Sequence, residues 1–408
     1  MVSAQGDINL RELLTNRFVR MIFLSELFLQ AGIWVRNFAV LLFVTDKTNG
    51  NPLAVSMISV ADYLPIFIFS FIGGAYADRW QPKKTMIWCD LLSAASVFVV
   101  IGALIFGSWQ VIFFAMLVSS TLSQFSQPSG LKLFKIHLEE RLIQQGMAVY
   151  QTIYAVFMIF GPVIGTFAYQ RLGIDLSITI TGVAFLLSAA ALSFIPRDEK
   201  VKKAENATNI FQEMKSGVRY VLAKKELKLL GCGFLTAGLG VGLIQPMNIF
   251  LVTDRLGLPK EYLQWLVMVN GIGMIAGGAF SMFFSRSVSP LKLLFTGLLA
   301  NALGLAVIGA STSLWLTLAA ELVSGLFLPS IQIGISTMVL QNTEADYIGR
   351  VNGTLYPLFT GAMVITMSLA GLVKTWLSVT AVFEIAALFF IIGLCFAFPL
   401  MKERSHAR

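Results

Sequence analysis

Charge is what this 408-residue chain has least of: Asp, Glu, Lys and Arg together make up 13% of it, against roughly a quarter in a soluble domain. A deficit spread along the whole length leaves too few ionised groups to cover a water-facing surface. Histidine occurs only at His137 and His406, and cysteine only at Cys89, Cys232 and Cys395, each alone in its stretch. That excludes a disulfide framework and a metal knuckle, and no cofactor is expected. No G-x-x-x-x-G-K-[ST] loop occurs and no segment is large enough for a nucleotide domain, which disfavours an ATP-driven pump. With no nucleophile–base constellation either, the chain is not expected to be an enzyme. Met1 to Arg17 is polar, without the apolar core and small-residue site of a cleaved signal peptide. The net charge of +8 has no soluble basic domain behind it, so no nucleic-acid partner is expected.

Apolar sequence is what is there. Hydrophobic residues are 56% of the chain and the mean hydropathy is +0.77. Crossing a bilayer takes about 20 such residues at 1.5 Å each. On that measure the sequence predicts twelve spans, near 18–44, 53–76, 85–107, 109–131, 146–170, 174–195, 227–252, 262–284, 291–312, 314–338, 347–373 and 378–400. The long polar break divides them into an N-terminal half (1–195), a linker (196–226) and a C-terminal half (227–408). Within the break, Ile210 to Lys225 carries Phe211, Met214, Val218 and Val221 at helical spacing, an amphipathic interfacial helix. Leu117-Val118-Ser119 before Gln127-Pro128-Ser129 returns as Leu322-Val323-Ser324 before Leu328-Pro329-Ser330, about half a chain later. Two six-helix repeats around a midplane cavity are an architecture of secondary transporters. The expected fold is therefore an all-α membrane protein. Of the 30 Lys and Arg, only Lys47, Arg171, Arg255, Lys260 and Lys374 fall on one face and Arg36 inside a span. All others share the face of both termini, which is then cytoplasmic. The expected location is the plasma (inner) membrane.

An ionisable group inside a span is a functional candidate by default, because hydrocarbon disfavours its charged form. Arg36 and Asp62 lie at matching depths, roughly 12 and 14 Å from the outer ends of the first two spans. A buried cation needs an anion, so they are expected to pair. Glu26, Gln30 and Asn37 share one face of the first span, and Glu26 is the expected proton carrier. Asp90 falls near the inner end of the third span and is expected to be structural. Ser120, Ser123, Gln124 and Gln127 stripe one face of the fourth span. With Gln245, Asn248, Glu321, Asn352 and Tyr356 from the second half, they are expected to line the substrate cavity.

Certain stretches resemble a known family. The loop Gly74-Ala75-Tyr76-Ala77-Asp78-Arg79-Trp80-Gln81-Pro82-Lys83-Lys84 resembles the G-x-x-x-D-R-x-G-R-R/K loop of the major facilitator superfamily, departing from it at Gln81 and Pro82. Ala54-Val55-Ser56-Met57, Tyr63-Leu64-Pro65, Lys84-Thr85-Met86-Ile87 with Asp90-Leu91, and Tyr347-Ile348-Gly349-Arg350-Val351 are similar to the macrolide-efflux branch of twelve-helix drug:proton antiporters. Gly161-Pro162-Val163-Ile164-Gly165 resembles part of its antiporter motif. The resemblance implies a major-facilitator fold and proton-coupled export of small amphipathic compounds by a functional monomer in the lipid bilayer. A lysolipid or lipid flippase and a siderophore exporter are the alternatives on the same scaffold. It further implies a cytoplasmic latch made by Gly74, Asp78, Arg79, Lys83, Lys84 and Asp90. Members of the family often carry an Arg near the position of Ser119; none lies between Trp109 and Leu131 here, and Arg36 is the expected substitute.

Overall fold

The computed structural model describes Leu13 and residues 15–77, 80–196, 210–284, 288–344 and 347–406. Among them the chain is helical throughout its regular structure, with no strand. Helix α1 is Arg17–Lys47, α2 Pro52–Ala77, α3 Pro82–Ile105 and α4 Val111–His137. Two of these begin on a proline, whose missing N–H and fixed φ suit the first helical turn. Ahead of α2, the Asn51 side chain accepts from the backbone N–H of Leu53 at 2.9 Å, satisfying one of the four orphan donors of a helix start.

The stretch Glu140–Ser193 is two helices, α5 (140–172) and α6 (174–193), joined at Gly173, whose φ of 73° and ψ of −175° are not helical. Only glycine takes that conformation cheaply, so a 54-residue helical run turns back through the membrane without a loop. The linker helix Ile210–Ala223 is strongly amphipathic, as its sequence pattern predicts. Helix α7 is Lys225–Ile244, α8 Leu263–Phe284, α9 Pro290–Ala310, α10 Leu314–Asn342, α11 Ile348–Trp376 and α12 Val379–His406. The predicted span 227–252 is corrected in one respect. It is not one helix: α7 ends at Ile244, and after Pro246 come a helical turn Asn248–Phe250 and a π-helical turn Leu251–Arg255. A proline has no N–H to continue the ladder, and local π geometry re-satisfies the freed groups.

Most of these helices are apolar enough to span a bilayer by length and composition. Helix α4 falls below that hydropathy because one of its faces carries serines and glutamines. Large apolar side chains point outward along the helices, and Phe106, Trp315 and Trp376 near helix ends are more than three-quarters exposed. An exposed aromatic at a helix end is what a lipid–water interface selects.

By internal packing the chain forms two units, one of residues 1–43 and 68–205, the other of 44–67 and 206–408. In the first, Phe18, Ile22, Leu133, Phe134 and Leu192 build a buried cluster from α1, α4 and α6, with Phe18 edge-on to Phe134 at 5.6 Å. In the second, α7 packs on α11 and α12, and α10 on α8 and α9. There the hairpin tip between α1 and α2 is held by ions: Asp46 pairs with Lys260, and beside it Asp254 pairs with Lys374 at 2.7 Å. The linker helix docks in the same unit. Tyr220 stacks on Tyr347 at 4.2 Å, and Lys224 donates to Glu344 at 3.0 Å.

Candidate functional site

The first unit carries a buried polar network. Helix α1 presents Ser25, Glu26 and Gln30, of which Glu26 is 4% exposed. Gln30 lies one turn on, so its side-chain amide reaches back and donates to the Glu26 carboxylate at 2.7 Å. From α5 the Tyr150 hydroxyl is directed at the same carboxylate. Across from it, α3 presents Asp90, also 4% exposed, which accepts a 2.6 Å hydrogen bond from Ser188 of α6. The Ser188 hydroxyl in turn lies 2.8 Å from that of Ser25. Four helices therefore converge on two buried carboxyls and the hydroxyl pair between α1 and α6.

Close helix approach makes that convergence possible. A methyl group on Gly165 would stand 2.6 Å from the Trp34 carbonyl oxygen and 2.7 Å from Phe38 Cβ, and one on Gly161 would enter the Trp34 ring. Pro162 lies inside α5 between these glycines. The two glycines of the stretch that resembles the antiporter motif thus seat α5 directly on α1. On the opposite flank, Thr181 of α6 donates to the Gly32 carbonyl at 3.2 Å. Both contacts fix α1 within a few helical turns of Glu26.

The other candidates divide. Asn37 accepts from both Nε and Nη2 of buried Arg36, at 3.1 and 2.9 Å. On α4, Ser120 is buried, Ser123 donates to its carbonyl at 2.7 Å, Gln124 donates to the Ser123 hydroxyl at 3.2 Å, and Gln127 is exposed. Lys83 donates to the carbonyls of Ser193 and Ile195 at the end of α6, at 2.8 and 2.5 Å, while Lys84 is exposed. Gly74 belongs to the last turns of α2. Asp78 and Arg79 lie outside the described residues. In the second unit, half-buried Glu321 accepts from Asn270 of α8 at 2.8 Å. Asn248 sits beyond the α7 break, Gln245 is exposed beside it, and Asn352 and Tyr356 share an exposed face of α11. Asp62 belongs to the second unit and Arg36 to the first. Sequence reasoning missed Ser25, Tyr150 and Ser188. Ser25 adjoins Glu26 in the chain and was open to notice, whereas Ser188 sits in Leu186-Leu187-Ser188-Ala189 and reads as a helix-packing residue.

Among the described residues, twelve long, mostly apolar helices with a break at the seventh and a buried polar network on the first define a polytopic membrane transporter. The comparisons agree. The Major Facilitator Superfamily profile matches residues 22–228 and 230–408; the chain belongs to that family. It is similar to an uncharacterized MFS-type transporter, YkuC of Bacillus subtilis, with 26% identity over 87% of this chain and 85% of the relative. The multidrug efflux pump Tap of Mycolicibacterium fortuitum is 28% identical over 79% of this chain and 81% of its own. Macrolide efflux protein A of Streptococcus pyogenes is 21% identical over 90% and 91%. Among solved structures, a mutant of the nucleoside transporter NupG superposes with a TM-score of 0.75 at 15% identity, covering 95% of this chain and 99% of the other. That likeness bears on the fold alone.

Proposed function

We infer that the chain is a proton-coupled exporter of small amphipathic compounds, of the macrolide or multidrug efflux type, working by alternating access. The observation that carries this reading is Glu26, a carboxyl buried in a membrane helix whose described partners, Gln30 and Tyr150, are both neutral. Burial of a carboxylate without a cation is costly, so the side chain has reason to take up a proton when shielded and release it when wetted. Relatives that carry efflux names support the substrate class. The proposal includes a plasma-membrane location with both termini cytoplasmic, halves divided as 1–195 and 227–408 by the linker 196–226, action as a monomer without enzymatic activity, and an Arg36–Asp62 ion pair. The α4 stripe with Gln245, Asn248, Glu321, Asn352 and Tyr356 is the proposed cavity lining.

Purified protein in proteoliposomes with an imposed pH gradient tests it. A lipophilic cation such as ethidium and a macrolide serve as probes. The expected result is accumulation that follows the gradient, collapses on adding an uncoupler and needs no ATP. Flux that continues at full rate after the gradient is abolished would overturn the reading.

A further inference from the structure

Asp90 has no part in the reading above, yet it is as deeply buried as Glu26. We propose that Asp90 and Glu26 form one proton-binding unit, in which Asp90 shares the proton carried by Glu26 and reports its own protonation to α1 through the Ser188–Ser25 hydroxyl pair. The proposal rests on the proton-coupled reading of Glu26 and names the second acid of that site.

Donor counting gives the mechanism. Ser188 owns one hydroxyl proton. When Asp90 is ionised it can only accept, so Ser188 donates to it, as the 2.6 Å geometry allows. Ser25 must then donate to Ser188, since either hydroxyl can be the donor across their 2.8 Å contact. When a proton settles on Asp90, its O–H donates to the Ser188 oxygen. Ser188 turns to donate to Ser25, and the Ser25 proton is released toward other acceptors on α1. The direction of the whole chain thus depends on one proton on α3, and its far end is the residue next to Glu26. No bond other than O–H is made or broken, and the proton enters from water and leaves to it.

Among the described residues, the surroundings contain no cation to hold either acid ionised. On α1, Arg17 and Arg20 are exposed, and Arg36, ten residues from Glu26, is turned to Asn37. On α3 the neighbour is Cys89, and Lys83 is engaged with the end of α6. Helix α4 has no ionisable side chain before Lys132, and its last-turn His137 stacks on Phe18. Helix α5 offers Tyr150 and Tyr154, with Glu140, Arg141, Tyr169 and Arg171 confined to its two ends, and α6 only Asp175, thirteen residues from Ser188. Two carboxyls buried in one network, with Asp90 reaching the residue beside Glu26 through two hydroxyls, are expected to titrate as a pair, in two steps that belong to neither alone.

Infrared titration of the protonated carboxyl band, on purified full-length protein in detergent, reads this without any substrate. The wild type should titrate in two separated steps. Asp90→Asn keeps an acceptor for Ser188 and should lose one step, leaving Glu26 to titrate alone; Glu26→Gln should do the converse. Asp90→Glu should restore two steps, which a purely structural Asp90 would not require. Thermal melting of the same samples checks that each variant is folded. If the Glu26 step has the same midpoint in the wild type and in Asp90→Asn, the two acids do not interact and the proposal fails. A failure of the exporter reading shows separately, as two-step titration in a protein whose flux ignores the gradient.

Discussion

The same helix pairing is built twice in this chain, with the small residues on opposite partners. In the first unit α5 carries Gly161 and Gly165 and receives Trp34 and Phe38 of α1. In the second unit the corresponding pair is α11 on α7, but now α7 supplies Gly238 and Gly242, which receive the backbone of Phe359 and Met363 from α11. What repeats is the close approach of two helices. The side on which the glycines stand does not repeat. Membrane helices gain little from burying apolar surface against one another, so contact at van der Waals range through small residues has to hold them together. The difference also separates the chemistry. In the first unit the helix without the glycines, α1, is free to carry Ser25, Glu26 and Gln30 on adjoining positions. In the second, α7 reads Gly231-Cys232-Gly233 and Gly238-Leu239-Gly240-Val241-Gly242, and its one acid, Glu226, stands in the first turn at the helix end, away from these close-packed positions.

The largest expected effect tests whether that separation is functional. Glu26→Gln should lower gradient-driven transport at least about tenfold, the scale of one coupling interaction of ~1.4 kcal/mol, while Glu321→Gln in the second unit should leave the coupling to the gradient intact and change the concentration of probe needed for half-maximal flux. Parallel transport assays in one proteoliposome series decide it. Loss of coupling in Glu321→Gln with coupling kept in Glu26→Gln would reverse the assignment of the two halves. The proposed Arg36–Asp62 pair is checked in the same series by a double-mutant cycle on melting temperature, where residues in contact give roughly 0.5–3 kcal/mol of non-additivity.

The next effect is on stability. Gly165→Ala and Gly242→Ala each push a methyl group into the partner's backbone, which cannot rotate away as a side chain can. Each should destabilise by about 1–3 kcal/mol, the usual range for overpacking. Gly233→Ala, on α7 but with no atom within 4 Å of the added methyl, should be neutral or up to about 1 kcal/mol stabilising through helix propensity. Thermal unfolding of the three variants reads the contrast. Equal losses at all three positions would mean that glycine is needed on these helices for flexibility, and the close-approach explanation would fall.

Much of this architecture is legible in the sequence, for physical reasons that also mark where legibility ends. A span needs only length and apolarity, so eleven of the twelve predicted segments, the more polar fourth among them, correspond to single helices with shifted ends. The linker helix is legible through Phe211, Met214, Val218 and Val221. The break after Ile244 was readable in Pro246, whose kink is a local effect. Glu26 stands out because an acid in hydrocarbon is costly wherever it lies. Its companionship with Asp90 is not local: 64 positions separate them in the chain, and Ser188 lies nearly a hundred further on. Nothing in the repeat pattern singles out one serine among many. The glycines of α7 were equally silent, since a sequence of alternating glycines names neither the partner helix nor the distance.

The smallest expected effect concerns the linker helix, which sharpens the comparison because it docks within the second unit and, among the described residues, has no counterpart in the first. Hydrogen bonds from Lys224, and then from Tyr220, hold the Glu344 carboxyl below the ordinary glutamate range. The hydrogen bond to Tyr220, followed by that to Glu344, holds Lys224 above the ordinary lysine range. A lowered acid contributes stability above its unfolded pKa and loses it as pH falls through the folded value; a raised base contributes below its unfolded pKa and loses it as pH rises through the folded one. Docking should therefore be at full strength from above the glutamate range to below the lysine range, and weaken at both ends. Both side chains are solvent-exposed, so the contribution is small and screened by salt. A nitroxide attached at Gln212→Cys, with Cys89, Cys232 and Cys395 replaced by serine, reports the motion of the linker helix. Its spectrum should stay constant through neutral pH and sharpen as pH falls below the glutamate range. Glu344→Gln should remove the acid-side change and leave the stacking of Tyr220 on Tyr347 to hold the helix. Should the label move freely at neutral pH in Glu344→Gln as well, the ion pair rather than the aromatic stack and the Gly217 contact with Arg350 anchors the linker, and the order of these contributions is reversed.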